Sequence, residues 1–281
     1  MSLHDKIAFF LDNPFPLWET ELTKMLVQNE WKEQLKYGIT PDNYSTAKSF
    51  LKKSIEIEKK SVLISGDSID NSIYLEYPSF ENLQEFYEEH GLEPELDNNS
   101  NGQTQKLQAA LDILNLVPEV KHCISFLVKR IQILRQVDEE IDTSYSHPEI
   151  PFTIFVSLCK DDSINSNIRV AESILHEAMH LKLTLIEKHI DLIVPNTNET
   201  YYSPWREEQR PVRGVLHGLF VFGAVLGLYK KLEFLKECSS DEKRYIATRI
   251  FEINKEFETI LSFKNSNGLT SAGRLFCSML L

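Results

Sequence analysis

The stretch "SILHEAMHLKL" (residues 173–183) decides how the rest of the chain is read. It sets His176 and His180 four residues apart, puts Glu177 directly after the first, and surrounds all three with apolar residues. On a helix, positions i and i+4 share one face about 6 Å apart along the axis, so both imidazoles can reach a single metal ion. Glu177 points about 100° away around the same axis, near enough to meet a metal-bound water or to support the ligands. The wider segment "AESILHEAMHLKLTLI" has one apolar side, so the pair faces a partly dry interior. Histidines placed there without a metal would each need hydrogen-bond partners.

Upstream, "PFTIFVSLC" (151–159) is short, β-branched and aromatic, and reads as a strand. A strand leading into such a helix is similar to the order in zincin-type metalloproteins, where it forms an edge strand along the cleft. A metal site needs a third protein ligand. Metzincins place one six residues after the second histidine, where this chain has Ile186, which cannot bind metal. Glu187 is too near on the same helix, whereas Glu207 and Glu208, at a helix entrance, remain candidates. The stronger candidate is His217 in "RGVLHGLF", in the middle of an apolar helix. Gly214, Gly218, Gly223 and Gly227, four of the ten glycines, fall in that helix. Each costs about 1 kcal/mol relative to alanine, and the expected compensation is close approach of another backbone, which would bring His217 to the paired histidines. A hydrogen-bonded core histidine is the plainer alternative.

Three arginines, Arg206, Arg210 and Arg213, crowd the segment "YYSPWREEQRPVRGVLHG". Arginine grips carboxylates through a two-pronged fork, and Arg213 should sit one turn before His217 on the same helix face. Surface salt bridges with Glu207 and Glu208 are the bland reading; beside a metal, the cluster suggests an anionic cosubstrate. Tyr202 and Trp205 either wall that pocket or belong to a plain core.

The 281 residues carry a formal charge of −12, with 42% hydrophobic and 26% charged residues, as in an ordinary globular protein. That charge repels phosphate backbones, so no nucleic-acid partner is expected. The start lacks a basic region and a long apolar core, so no signal peptide is read. The longest apolar run, "GVLHGLFVFGAVLGLY", is short for a membrane span and fits a buried helix. Four scattered cysteines without a CxxC pair fit free thiols in a reducing cytoplasm. Helices are expected over 16–38, 46–61, 104–117, 118–137, 167–188, 211–232, 241–263 and 270–281. No Lys or Arg occurs from Ser61 to Gln105, while glutamates accumulate there, which reads as a solvated acidic face or, less plainly, a dock for a basic peptide. "LDNNSNGQ" (96–103) is the best linker. It would divide a mainly helical region, 1–103, from a catalytic domain, 104–281. The expected class is α+β, predominantly helical, with a zincin-like core, a small sheet and an edge strand.

Together, "LHEAMH", "SPWREEQRPVRGVLHG" and "LTSAGRLF" resemble the HExxH-motif family associated with ribosomally made peptide natural products, the 2-oxoglutarate- and Fe(II)-dependent peptide β-hydroxylases. The likeness covers about residues 145–281. It implies iron held by His176, His180 and His217, with Arg206 and Arg210 holding the 2-oxoglutarate carboxylate and Arg213 less clearly assigned. It further implies consumption of O₂, release of succinate and CO₂, and a hydroxyl placed on the β-carbon of a residue in a precursor peptide aligned by strand addition. Because iron triads of this kind usually contain a carboxylate, Glu177 or Glu207 stays open as a ligand. The rival enzyme is a zinc peptidase with Glu177 as general base. A helical module that escorts a precursor peptide is the non-enzymatic alternative.

Overall fold

The computed structural model describes the chain apart from residues 14–15, 56–60, 67–70, 97–99, 139–141, 161–162 and 164. In chain order its elements are α1 (Leu3–Leu11), α2 (Thr20–Leu35), α3 (Thr46–Leu51), β1 (Ser61–Ser65), β2 (Ile73–Glu76), α4 (Phe80–Glu89), α5 (Ser100–Asn115), α6 (Pro118–Leu127), β3 (Arg130–Leu134) and β4 (Ser144–Tyr145). There follow β5 (Thr153–Ser157), α7 (Ser166–Glu187), β6 (Thr200–Ser203), β7 (Glu208–Pro211), α8 (Val212–Leu232), α9 (Ser240–Thr259), a 3-10 turn (Leu261–Asn265) and α10 (Ser271–Leu280). The chain is mixed α/β and 56% helical, so helix predominates as expected.

Two compact units emerge. A terminal unit joins Met1–Leu26 to Lys182–Leu281, and a middle unit runs unbroken from Val27 to Leu181. The expected division at 103/104 thus falls inside the middle unit. The reason is strand pairing: β2 lies parallel to β3, tying Tyr74 and Leu75 to Arg130 and Ile131 across that point. Of the expected linker, residues 97–99 lie outside the described residues, and α5 already begins at Ser100.

The middle unit is built on a five-stranded sheet in the order β1-β2-β3-β5-β4. β2, β3 and β5 run parallel, whereas β1 and β4 pair antiparallel at the two ends. β3 and β5 are buried along their whole length, as strands covered on both faces must be. This corrects two expectations. α6 begins at Pro118, a residue suited to the first helical position, but ends at Leu127, and "RIQIL" becomes β3. Its β-branched residues gain more by pairing between β2 and β5 than by extending a helix. The strand "TIFVS" is β5, second from the edge; the two-residue β4 covers it and is itself the outermost strand.

α4 packs Leu83, Phe86 and Tyr87 against Leu134, Ile150 and Phe155, and turns Glu81, Glu85, Glu88 and Glu89 to water. The acidic segment is there a solvated face. Of the helix expected over 46–61, only α3 is helical among the described residues; it ends where Lys52 takes the left-handed conformation, and 56–60 lie outside the description. Beneath the sheet, Arg130 donates to the Tyr44 carbonyl at 2.7 Å and lies 4.6 Å over the Tyr74 ring. Phe152, just before β5, holds a left-handed φ of 71°. Stacking on Trp31 at 4.1 Å, with its carbonyl accepting from the Lys129 and Arg130 amides, offsets that conformational cost.

In the terminal unit, α8 is the only helix among the described residues long and apolar enough to cross a membrane, and 67% of that stretch is buried inside the protein. Its glycines do not admit another backbone. Side chains of the same unit fill the space: Gly218 receives the Trp205 ring, Gly227 the Trp18 ring at 2.7 Å, Gly223 a Leu17 methyl at 3.1 Å, and Gly214 the Arg210 side chain at 3.3 Å from an added Cβ. Indole rings pressed against the helix therefore compensate the lost propensity at Gly218 and Gly227. Lys182, with no exposed surface, donates to the carbonyls of Leu17 and Glu19 at 2.8 and 3.2 Å, so its charge is solvated by the chain itself.

Candidate metal centre

The centre lies on α7, a helix whose apolar positions are almost all buried. The four-residue spacing acts as expected: the Nε2 atoms of His176 and His180 stand 3.1 Å apart. Two ligands at about 2.1 Å from one ion span about 3.0 Å at a right angle and about 3.4 Å at the tetrahedral angle. The observed gap falls between. Glu177 completes the group, since one ligand atom from each of His176, Glu177 and His180 lies within 4.8 Å of the others. The chemistry of this donor set, two imidazole nitrogens and one carboxylate oxygen, fits a divalent transition metal.

Glu177 is only 3% exposed. Its Oε1 accepts from the Ser144 hydroxyl and its Oε2 from the Ser146 hydroxyl, each at 2.6 Å. No ion pair reaches this carboxylate among the described residues. A buried anion satisfied by neutral hydroxyls alone lacks the balancing charge that such groups ordinarily have, and a cation between it and the two imidazoles would supply it.

Sequence reasoning missed the serines. "SYSH" (144–147) carries a strand signature, alternating small hydroxyls with rings, but only two of its residues are in β4. Tyr145 belongs to the opposite side, packed beside Phe86, His90 and Phe155. Burial pushes the Tyr145 phenol up to about 12, helped by the negative charges of Glu177 and Glu89.

The remaining expected site residues lie in the terminal unit. His217, buried on α8, has its Nε2 3.1 Å from Glu187 Oε2. Arg213 does sit one turn before it on the same face, and donates to the same oxygen through Nε at 3.1 Å and Nη2 at 2.7 Å. Glu187, set aside above as a ligand, is thus the hub of an ion-pair knot holding α8 to the end of α7. "YYSPWREEQRP" is no helix entrance but a hairpin, with β6 paired to β7 and Glu207 at its turn with φ 51°. Glu207 and Glu208 are exposed on it, and Arg210 pairs with Glu208 at 2.9 Å. Arg206 is exposed and has no carboxylate partner among the described residues. Tyr202 is 48% exposed. Trp205, half-buried, stacks on Phe222 at 5.1 Å and fills the Gly218 notch, so its ring is engaged in packing within the terminal unit.

The Glu187 knot predicts a pH dependence. Burial pushes Glu187 up, but hydrogen bonds and charge from His217 and Arg213 outweigh this and hold it below the ordinary 4.5. A carboxyl lowered on folding stabilises fully above 4.5, and that stabilisation fades as pH falls through the lowered value. Thermal melts between pH 7 and 3 should therefore show a steeper acid loss for the native chain than for Glu187→Gln; parallel profiles would refute the assignment.

No protein-family model matches this chain, and no curated protein matches it at significant similarity.

Proposed function

We propose that the chain is an Fe(II)- and 2-oxoglutarate-dependent oxygenase that hydroxylates the β-carbon of a residue in a ribosomally made peptide, with His176, His180 and Glu177 holding the metal. The observation that carries this reading is the buried Glu177 carboxylate, without an ion-pair partner among the described residues, grouped with two imidazoles. Two histidines and one carboxylate form the usual ligand set of non-haem iron oxygenases, which leaves coordination positions open. His217 is committed to Glu187, so we assign the third ligand to Glu177. The sequence likeness over residues 145–281 supplies the substrate class.

Bound iron would supply the capacity to activate O₂ for oxidation of the keto acid and of a substrate C–H bond. The chain's own residues do the rest. His176 and His180 present nitrogens from one helix face, and Glu177 orients toward them from a dry position. β4 ends the sheet, so its outer edge can receive an extended peptide by strand addition; this role passes to β4 from β5.

A zinc peptidase would use the same three residues, with Glu177 taking a proton from a metal-bound water. Against it, both Glu177 oxygens already accept serine hydroxyls, an arrangement that suits a fixed ligand better than a mobile base. Anaerobic addition of Fe(II) and 2-oxoglutarate separates the two. The oxygenase should develop a charge-transfer band near about 500 nm as the keto acid chelates the iron. Absence of that band, with tight zinc binding and peptide cleavage instead, would reverse the assignment.

A further inference from the structure

We infer that Ser144 and Ser146 form a positioning clamp that fixes Glu177 as a metal ligand, an inference that rests on the metal-centre reading above. A glutamate has three rotatable side-chain bonds, and a ligand that must also be ordered loses affinity to that ordering. The clamp removes the freedom beforehand. Each hydroxyl holds a different carboxylate oxygen at 2.6 Å, and no other hydrogen bond reaches the Glu177 side chain among the described residues. A carboxylate offers about four lone-pair positions; the serines take one on each oxygen and leave the others for a metal.

The geometry comes from the sheet, not from the metal helix. Ser144 lies in β4 and Ser146 just past its end; the two hydroxyls straddle one carboxylate while Tyr145 packs beside Phe86 and Phe155. Pairing of Ser144 with Val156 and of Tyr145 with Phe155 sets the register of that strand. The Ser157 amide donates to the Thr143 carbonyl at 2.7 Å and the Thr143 amide to the Ser157 hydroxyl at 2.9 Å, closing its other end. A slip of one residue would put a neighbour in place of Ser144 opposite Val156 and turn that hydroxyl away from Glu177. The histidines are thus placed by helical period and the carboxylate by strand register, and the two converge only in the folded middle unit.

The test is anaerobic titration of the full chain with Co(II), a visible probe of coordination, followed by Fe(II). The Ser144→Ala/Ser146→Ala double variant should bind about 10–100-fold more weakly, the usual loss when a ligand's supporting partners are removed. Its Co(II) visible spectrum should also change, and Ser→Thr at both positions, which keeps the hydroxyls, should restore much of the affinity. If the double variant does not fold, Ser144→Ala alone should show the same effects at smaller size. Unchanged Co(II) affinity and spectrum in the serine variants, with both altered in Glu177→Gln, would overturn the clamp and leave the metal centre standing. Unchanged affinity and spectrum in Glu177→Gln itself would remove Glu177 as a ligand, and the clamp with it.

Discussion

Replacing His180 with alanine should abolish tight metal binding while the middle unit stays folded. The imidazole is only half-buried, and alanine is the better helix former at an interior position. The fold therefore loses little, and far-UV circular dichroism and the melting temperature should stay close to those of the native chain. The metal loses one of its two nitrogens. Because even an outer partner of a ligand is worth roughly 10–100-fold in affinity, loss of a ligand should cost at least about 100-fold, and with it whatever activity the proposed metal supports. His176→Ala should behave alike. Stoichiometric metal retained at native affinity in either variant would mean that the 3.1 Å contact is only a hydrogen bond between two imidazoles.

The largest stability effect is expected at Gly273, in the late segment "LTSAGRLF". A Cβ there would drive into the carbonyl group of Leu192, which is backbone and cannot rotate away. That loop is itself tied down. The Thr270 amide donates to the Leu192 carbonyl at 3.1 Å, the Thr270 hydroxyl to the Asp191 carbonyl at 2.7 Å, and the Val194 amide to the Gly268 carbonyl at 2.8 Å. Gly273→Ala must break this seam or shift α10. We expect a loss of about 3 kcal/mol, which is roughly 6–12 °C in melting temperature. Gly214→Ala is the internal control, since its Cβ meets only the flexible Arg210 side chain at 3.3 Å. That change should be neutral or stabilise by up to about 1 kcal/mol through helix propensity. Equal melting temperatures for the two variants would show that the α10 seam is not rigid.

What could be read in advance was what local periodicity controls. α7 and α8 are long and strongly patterned, so both were legible, as was the meeting of His176 and His180. β3 was not legible, because "RIQIL" continues the apolar run of α6 and only its neighbours in the sheet make it a strand. The β6–β7 hairpin was hidden by its charged residues, which resemble a helix start as closely as a turn. The α8 glycines were read as contacts with another backbone, but side chains occupy that space, and glycine spacing alone does not tell a backbone from an indole ring. The same limit applies to His217, whose partner proved to be the glutamate dismissed for lying too near the histidine pair. Ser144 and Ser146 lie some thirty residues from Glu177 and carry no motif; pairing of β4 with β5, and the chain just past its end, bring them there.

The interleaving of the two units sets an order of events at the ribosome. α1 buries Ile7, Phe10 and Leu11 in the terminal unit, where Phe10 meets Phe276 of α10 with ring centroids 6.3 Å apart. At about 5–20 residues per second, α10 is synthesised roughly 15–50 s after α1. Throughout elongation the first helix must wait with its apolar side uncovered while the middle unit is completed. A helix made well before α10 is thus among the last of the described elements to find its place.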